Sequence, residues 1–226
     1  MSLKDQLKEE VRVERQKMKE MSFQDKLWYI WEYYKFHIGG VFLVILLVSV
    51  VVTSVRNASI HPGLYCIIVN NRSAQELDVS PLEKDFYEYM GFGQKEPVYV
   101  ESMYISYGNS ATELSYASMA KISALVASQE LDILMGDEEN INQYASLDGL
   151  ADLKELLPAD VLSAVDGCLF YAPDGAGQPV AAAVDISGTP MAAAMHLSDE
   201  AAHLSIFSNS PHTDNAVALI RYIFDL

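Results

Sequence analysis

The chain predicts an α/β fold tethered by a single apolar helix, and three observations carry that expectation. Ile38–Val55 (IGGVFLVILLVSVVVTSV) runs for eighteen residues without a charge. Beyond it, short β-rich apolar runs alternate with stretches of helical periodicity, each bounded by Gly, Pro, Asn or Asp. The charge is also divided: residues 1–37 carry eight Lys/Arg against seven Asp/Glu, while residues 56–226 carry seven against 24, a net −17.

Residues 1–37 predict a cytoplasmic helical tail. Residues 3–20 (LKDQLKEEVRVERQKMKE) hold neither Pro nor Gly, and Leu3, Leu7, Val11 and Met18 approximate one face. Glu9/Arg12 and Glu14/Lys17 fall at i,i+3, where opposite charges support a helix. The stretch is too short for a domain-sized core. An aromatic segment follows, in which Trp28, Trp31, Tyr34 and Lys35 are the candidate membrane anchors. Trp and Tyr favour the headgroup layer, and Lys snorkels to it. The partner so implied is the lipid bilayer. The other reading of this segment is a docking surface for a partner membrane protein.

Residues 38–55 predict a transmembrane helix. At about 1.5 Å per residue it spans roughly 27 Å, close to the hydrocarbon thickness. Lys26 and Lys35 flank its N-terminal end, against only Arg56 and then Arg72 beyond the other. That bias places the N-terminus in the cytoplasm and the larger domain outside. The alternative, a cleaved signal, fits less well: the apolar run exceeds the usual signal core, and the preceding segment is long. Residues 56–63 read as a linker.

Residues 64–226 predict one extracytoplasmic α/β domain, long enough for a sizeable core. Leu64–Val69 is a buried strand that stops at Asn70-Asn71-Arg72. Ser80 (N-cap), Pro81 (N1) and Glu83 (N3) predict a capped helix ended by Gly91 and Gly93. Residues 97–106 form a strand, and Asn109 or Ser110 caps a long helix to about Ser128. Residues 131–135 are a third strand, followed by a short helix near 141–145, a segment over 150–157 and a helical turn over 160–165. Residues 168–172 and 180–187 flank Asp174-Gly175-Ala176-Gly177, a hairpin signal. Residues 204–207 are a last strand, and an amphipathic helix over 214–225 closes the chain. Strands separated by helices predict a mixed, mostly parallel sheet with helices on both faces and an antiparallel hairpin near the end.

The chain holds no G-x-S-x-G, H-E-x-x-H, P-loop or G-x-G-x-x-G motif. Its five His lack ligand spacing, so no metal or cofactor is implied, and no catalytic residue is nominated. Cys66 and Cys168 read either as a disulfide between neighbouring strands or as two buried thiols. Ser106, Tyr107, Asn109 and Ser110 follow the second strand, and Asp137 and Glu138, with Glu139, follow the third. Open α/β sheets bind ligands at that edge, so these six are the candidate ligand-binding residues, for a small ligand or peptide. The alternative is that both groups only cap helices. The −17 charge argues against nucleic acid and suits cations or a basic partner.

Several segments resemble a known family. Leu131–Asp137 followed by Leu150-Ala151-Asp152-Leu153 and Leu156-Leu157-Pro158 resembles the strand–helix segment of extracellular solute-binding proteins. Val184–Pro190 resembles their crossover strand. Phe207-Ser208-Asn209-Ser210-Pro211-His212, leading into Asn215-Ala216-Val217 and Ile220–Ile223, resembles their return helix. Met21–Ile38 resembles single-pass membrane proteins of clostridial bacteria (Firmicutes). The resemblance implies one lobe of a solute-binding fold on a membrane anchor. The function expected is a non-catalytic ligand-binding or interaction module. The alternatives are a structural subunit of a membrane complex and, behind it, an extracytoplasmic hydrolase.

Overall fold

The computed structural model describes Glu9, Arg12, Val13, residues 22–57 and residues 61–226. It divides into two compact units, Met1–Ser59 and Ile60–Leu226. The helix expected over residues 3–20 lies outside the described residues, apart from helical Glu9, Arg12 and Val13.

In the first unit, helix α1 (Phe23–Asn57) continues unbroken from the aromatic segment through the apolar run. No Pro interrupts it, and the Gly39-Gly40 pair is accommodated within it. Lys35–Thr53, nineteen residues with none buried, is long and apolar enough to cross a membrane. The expected boundaries at 38 and 55 therefore fall inside a longer helix, because the preceding aromatic residues keep helical backbone geometry.

The second unit is a six-stranded mixed sheet of order β2-β1-β3-β6-β5-β4. The strands are β1 (Leu64–Val69), β2 (Val98–Met103), β3 (Ile133–Gly136), β4 (Leu169–Pro173), β5 (Pro179–Asp185) and β6 (His203–Ile206). Apolar β-branched and aromatic runs bounded by turn residues make them strands. β1 pairs in parallel with β2 and with β3, while β3–β6, β6–β5 and β5–β4 are antiparallel. The mostly parallel expectation is thus corrected: two pairings are parallel and three antiparallel, although β1, β2, β3 and β5 all point the same way. The reason lies in the β5–β6 link. Its helix α7 (Pro190–Ala194) has five residues, about 7.5 Å, too short to carry the chain back along a strand, so β6 returns antiparallel.

Side-chain alternation divides the core between two faces. On one face Leu64, Cys66, Ile68, Ile133, Met135, Leu204 and Ile206 meet Leu82 and Phe86 of α2 (residues 81–90). The same cluster takes in Leu153 of α5 (Leu153–Leu156), Val161 and Val165 of α6 (Ala159–Val165), Met191 of α7, and Leu219 and Ile220 of α8 (Thr213–Ile223). On the other, Tyr65, Ile67, Val69, Leu134 and Phe207 meet Ile122 of α3 (Glu113–Ala127) and Ile141 of α4 (Glu138–Ala145). β5 switches its pattern midway, because Ala182 is an extra residue opposite the Phe170/Tyr171 step of β4. The resulting bulge puts both Ala182 and Ala183 on the α3/α4 face. Gly177, at φ +78, turns the expected β4–β5 hairpin.

Two expected caps fall elsewhere. Ser80 is itself helical (φ −55, ψ −37) and makes no side-chain cap. The Asp78 carboxylate accepts the Ser80 N–H at 2.9 Å and starts the turn two residues earlier. The helix opens as a π-helical stretch, Pro81–Phe86, before continuing as Tyr87–Met90. Asn109 and Ser110 lie in a 3-10 turn after Gly108, and the chain extends again before α3. Thr112 is the N-cap, its hydroxyl accepting the Ser115 N–H at 3.1 Å. Helix α7 was not anticipated: its five residues are too few for helical periodicity to show.

Candidate functional site

The order β2-β1-β3 creates a switch point. From β1 the chain passes through α2 on one face to β2, then through α3 on the other face to β3, on the far side of β1. Connections that depart in opposite directions open a crevice beyond the carboxyl ends of the two strands between them. A cavity of about 460 Å³ lies there. Its wall is Arg72 after β1, Asp137, Glu138 and Glu139 at the start of α4, Asp199 and Glu200 of a 3-10 turn, and His203 opening β6. Five carboxylates thus face one guanidinium and one imidazole, and Arg72 is paired with Glu200 at 3.3 Å.

The wall hangs on two asparagines that end β1. Asn70 is 2 % exposed and left-handed at φ +60, a conformation Asn tolerates better than most residues. Its Nδ2 donates to Ile105 O (2.9 Å) and to Asp137 Oδ2 (2.7 Å), and its Oδ1 accepts the Ile105 N–H (2.8 Å). Asp137 is the N-cap of α4: Oδ1 accepts from Asn140 N at 3.0 Å and Nδ2 at 2.6 Å. The other carboxylates of that turn, Glu138 and Glu139, are exposed. Asn71 reaches the opposite wall. Its Oδ1 accepts the Ser198 N–H (2.8 Å), and its Nδ2 donates to His196 O (3.3 Å).

The six nominated residues therefore separate. Asp137 and Glu138 line the cavity, whereas Ser106, Tyr107, Asn109 and Ser110 are not among its lining residues. Ser106 Oγ donates to Ser110 O at 2.8 Å and meets the Ser115 hydroxyl at 3.1 Å, a hydroxyl cluster that supports the α3 cap. Asn109 and Ser110 are exposed. Tyr107 links the halves by donating to Asn140 Oδ1 at 2.7 Å. Burial, then the charges of Tyr144, Asp137 and Glu139, push its phenol well above the usual range. Burial pushes Tyr144 up to about 12. Arg72, Asp199, Glu200 and His203 were not nominated. The only sequence signal toward them was Asn70-Asn71-Arg72 closing a strand.

The opposite edge of the sheet holds a buried carboxylate. Asp132 is fully buried and accepts from the Tyr65 N–H (2.8 Å) and the Ser210 hydroxyl (2.5 Å), with His212 Nδ1 3.2 Å from both its oxygens. Ser210 thus donates to the carboxylate, not to the imidazole ring. Nearby, burial works against the charge of Glu101, but bonds from Lys121 and Tyr65 outweigh it and hold the carboxyl below its usual range. Burial and the Glu101 bond raise Tyr65 in turn.

Both cysteines are free. Cys66 is on β1 and Cys168 precedes β4, four strand positions away, about 19 Å at sheet spacing, so the disulfide alternative is closed. Burial raises the Cys66 thiol. On α1, which carries Trp28, Trp31, Tyr34 and Lys35, Trp28 and Trp31 are 69 % and 64 % exposed. Lys35 pairs with Glu32 one turn back at 3.8 Å. Compared with protein families, curated proteins and solved structures, the chain matches none.

Proposed function

We propose that the chain is a single-pass membrane protein whose α/β domain lies outside the cell and binds a small, positively charged ligand or peptide without transforming it. The observation that carries the reading is the cavity at the carboxyl ends of β1 and β3, where a preformed crevice meets an excess of carboxylates. The fully exposed apolar length of α1, with Trp28 and Trp31 near one end, supports the anchor. Lys26 and Lys35 before the span, against Arg56 after it, support a cytoplasmic N-terminus. The segments that resemble solute-binding proteins fall on β3, on the stretch that holds α5, on the end of β5, and on the chain from Phe207 through α8. On that resemblance we read the domain as one such lobe.

The test is thermal unfolding of residues 61–226 against amino acids, peptides, sugars, amines and metal ions. Both core clusters lie within that stretch, so the fragment carries its own core. A ligand at 100 times its Kd stabilises by about 2.7 kcal/mol, several degrees at this size. A silent panel on a cooperatively folded fragment overturns the ligand reading and leaves a domain that binds only protein, to be pursued by crosslinking in the membrane.

A further inference from the structure

The two flanking walls of the cavity belong to different parts of the chain, and the β3–β6 ladder joins their bases, with Gly136, just before Asp137, opposite His203. One is the first turn of α4, the other the 3-10 turn Asp199–Ala201 in the β5–β6 link. Each is held by one of two consecutive residues. Asn70 reaches the α4 wall through Asp137 Oδ2, and by two further bonds to Ile105 fastens the segment after β2. Asn71 reaches the second wall through Ser198 N and His196 O, and its own carbonyl accepts the Tyr104 hydroxyl at 2.6 Å. Arg72 completes the set: its N–H donates to Ser198 Oγ at 3.3 Å, and its guanidinium meets Glu200. Both asparagines are buried, at 2 % and 6 % exposure, and spend their amides on the two walls instead of on solvent.

We infer that Asn70 and Asn71 are positioning residues that set how far the cavity walls stand apart beyond the β3–β6 ladder at their bases, and with it the size of ligand the cavity accepts. The inference rests on the proposed ligand-binding reading. Two buried amides pointing to opposite walls form a spacer, because each fixes one wall relative to β1 with bonds of defined length. The Asp137 carboxylate is oriented by the same contact: with Oδ2 bonded to Asn70 and Oδ1 to Asn140, its position in the wall follows that of β1.

The test uses the full chain in detergent and a graded series of linear diamines, from ethylenediamine to hexamethylenediamine, whose span is the variable. Affinities are measured by calorimetry for the wild type, Asn70→Gly, Asn71→Ala and Asp152→Ala. Glycine keeps the left-handed backbone at position 70 while removing the amide. Asp152 caps α5 away from the cavity, so its loss reports simple destabilisation. The expected result is a preferred length in the wild type and in Asp152→Ala, with a loss of about tenfold at that length and a shift of the preference in both asparagine variants. Unchanged length preference in folded Asn70→Gly and Asn71→Ala overturns the inference while the ligand reading stands. A wild type that binds no diamine overturns the cationic-ligand reading and the inference with it.

Discussion

At the scale of single residues, the domain buries the Asp132 carboxyl group completely. Taking a carboxylate into a protein interior costs several kcal/mol unless donors replace its hydration. Asp132 recovers them from three places: the Tyr65 N–H of β1, the Ser210 hydroxyl, and His212 Nδ1 at the approach to α8. One side chain thus joins the start of β3 to the end of β6. Asp132→Ala removes the acceptor and strands all three donors. We expect a loss of about 3–5 kcal/mol, read as a lower urea midpoint with unchanged slope. A shift below about 1 kcal/mol would mean that the donors find other partners. Little of this was legible in the chain. Asp132 sits in an apolar strand, LDILM, and its partners lie 67 to 80 residues away. Asn70 and Asn71 were legible as a strand end but not as a spacer, because their partners, the Asp137 carboxylate and backbone atoms of Ile105, His196 and Ser198, lie on segments that only the fold brings near.

Elements were easier to read than their ends. β1 and the β4–β5 hairpin were legible because a buried strand needs an uninterrupted apolar run, and a hairpin needs residues that tolerate the left-handed region. The existence of α3 was equally plain, but its cap was not. Asn109, Ser110 and Thr112 all have the chemistry of an N-cap, and composition cannot choose among them. The choice falls to geometry: Thr112 is extended (φ −105, ψ 165) with its hydroxyl on the Ser115 N–H, while Asn109 and Ser110 are spent in the turn before it. Thr112→Ala should therefore cost about 1 kcal/mol, and Asn109→Ala next to nothing. Thermal melts of the two variants decide it, and equal losses would return the cap to the earlier position. The same limit explains the sheet. An apolar run announces a strand without announcing its direction, and direction here depends on how far α7 carries the chain.

For the whole molecule, the titrating groups set the range of pH in which the fold is stable, and the two ends have different causes. On the acid side, the bond from Arg221 holds the Asp160 carboxyl below its usual range, and bonds from Ser80 do the same for Asp78. A lowered folded value means that the stabilisation is present at neutral pH and fades as acid protonates the group. Both side chains are exposed, so that loss is shallow. On the alkaline side the groups are inside. Tyr144 lies between α4 and the sheet, edge-on to Phe207 with ring centroids 5.8 Å apart, and burial moves its phenol from 10.0 to about 12. Tyr65, Tyr107 and Cys66 move in the same direction, chiefly through burial. For these acids the neutral form is the one the fold favours. Their contribution is complete below the unfolded value and is lost as pH climbs through the folded one. Between pH 10 and 12 the unfolded chain ionises while Tyr144 stays protonated in the fold, so stability should fall by about 2 kcal/mol from that residue alone. Urea midpoints measured from pH 7 to pH 12 should begin to fall near pH 9, where the unfolded Cys66 thiol ionises, and drop steeply above about pH 10. Tyr144→Phe, which has no proton to lose, should reduce the drop. A decline that begins near neutrality, or one that Tyr144→Phe leaves unaltered, would show that the alkaline limit comes from somewhere other than this buried phenol.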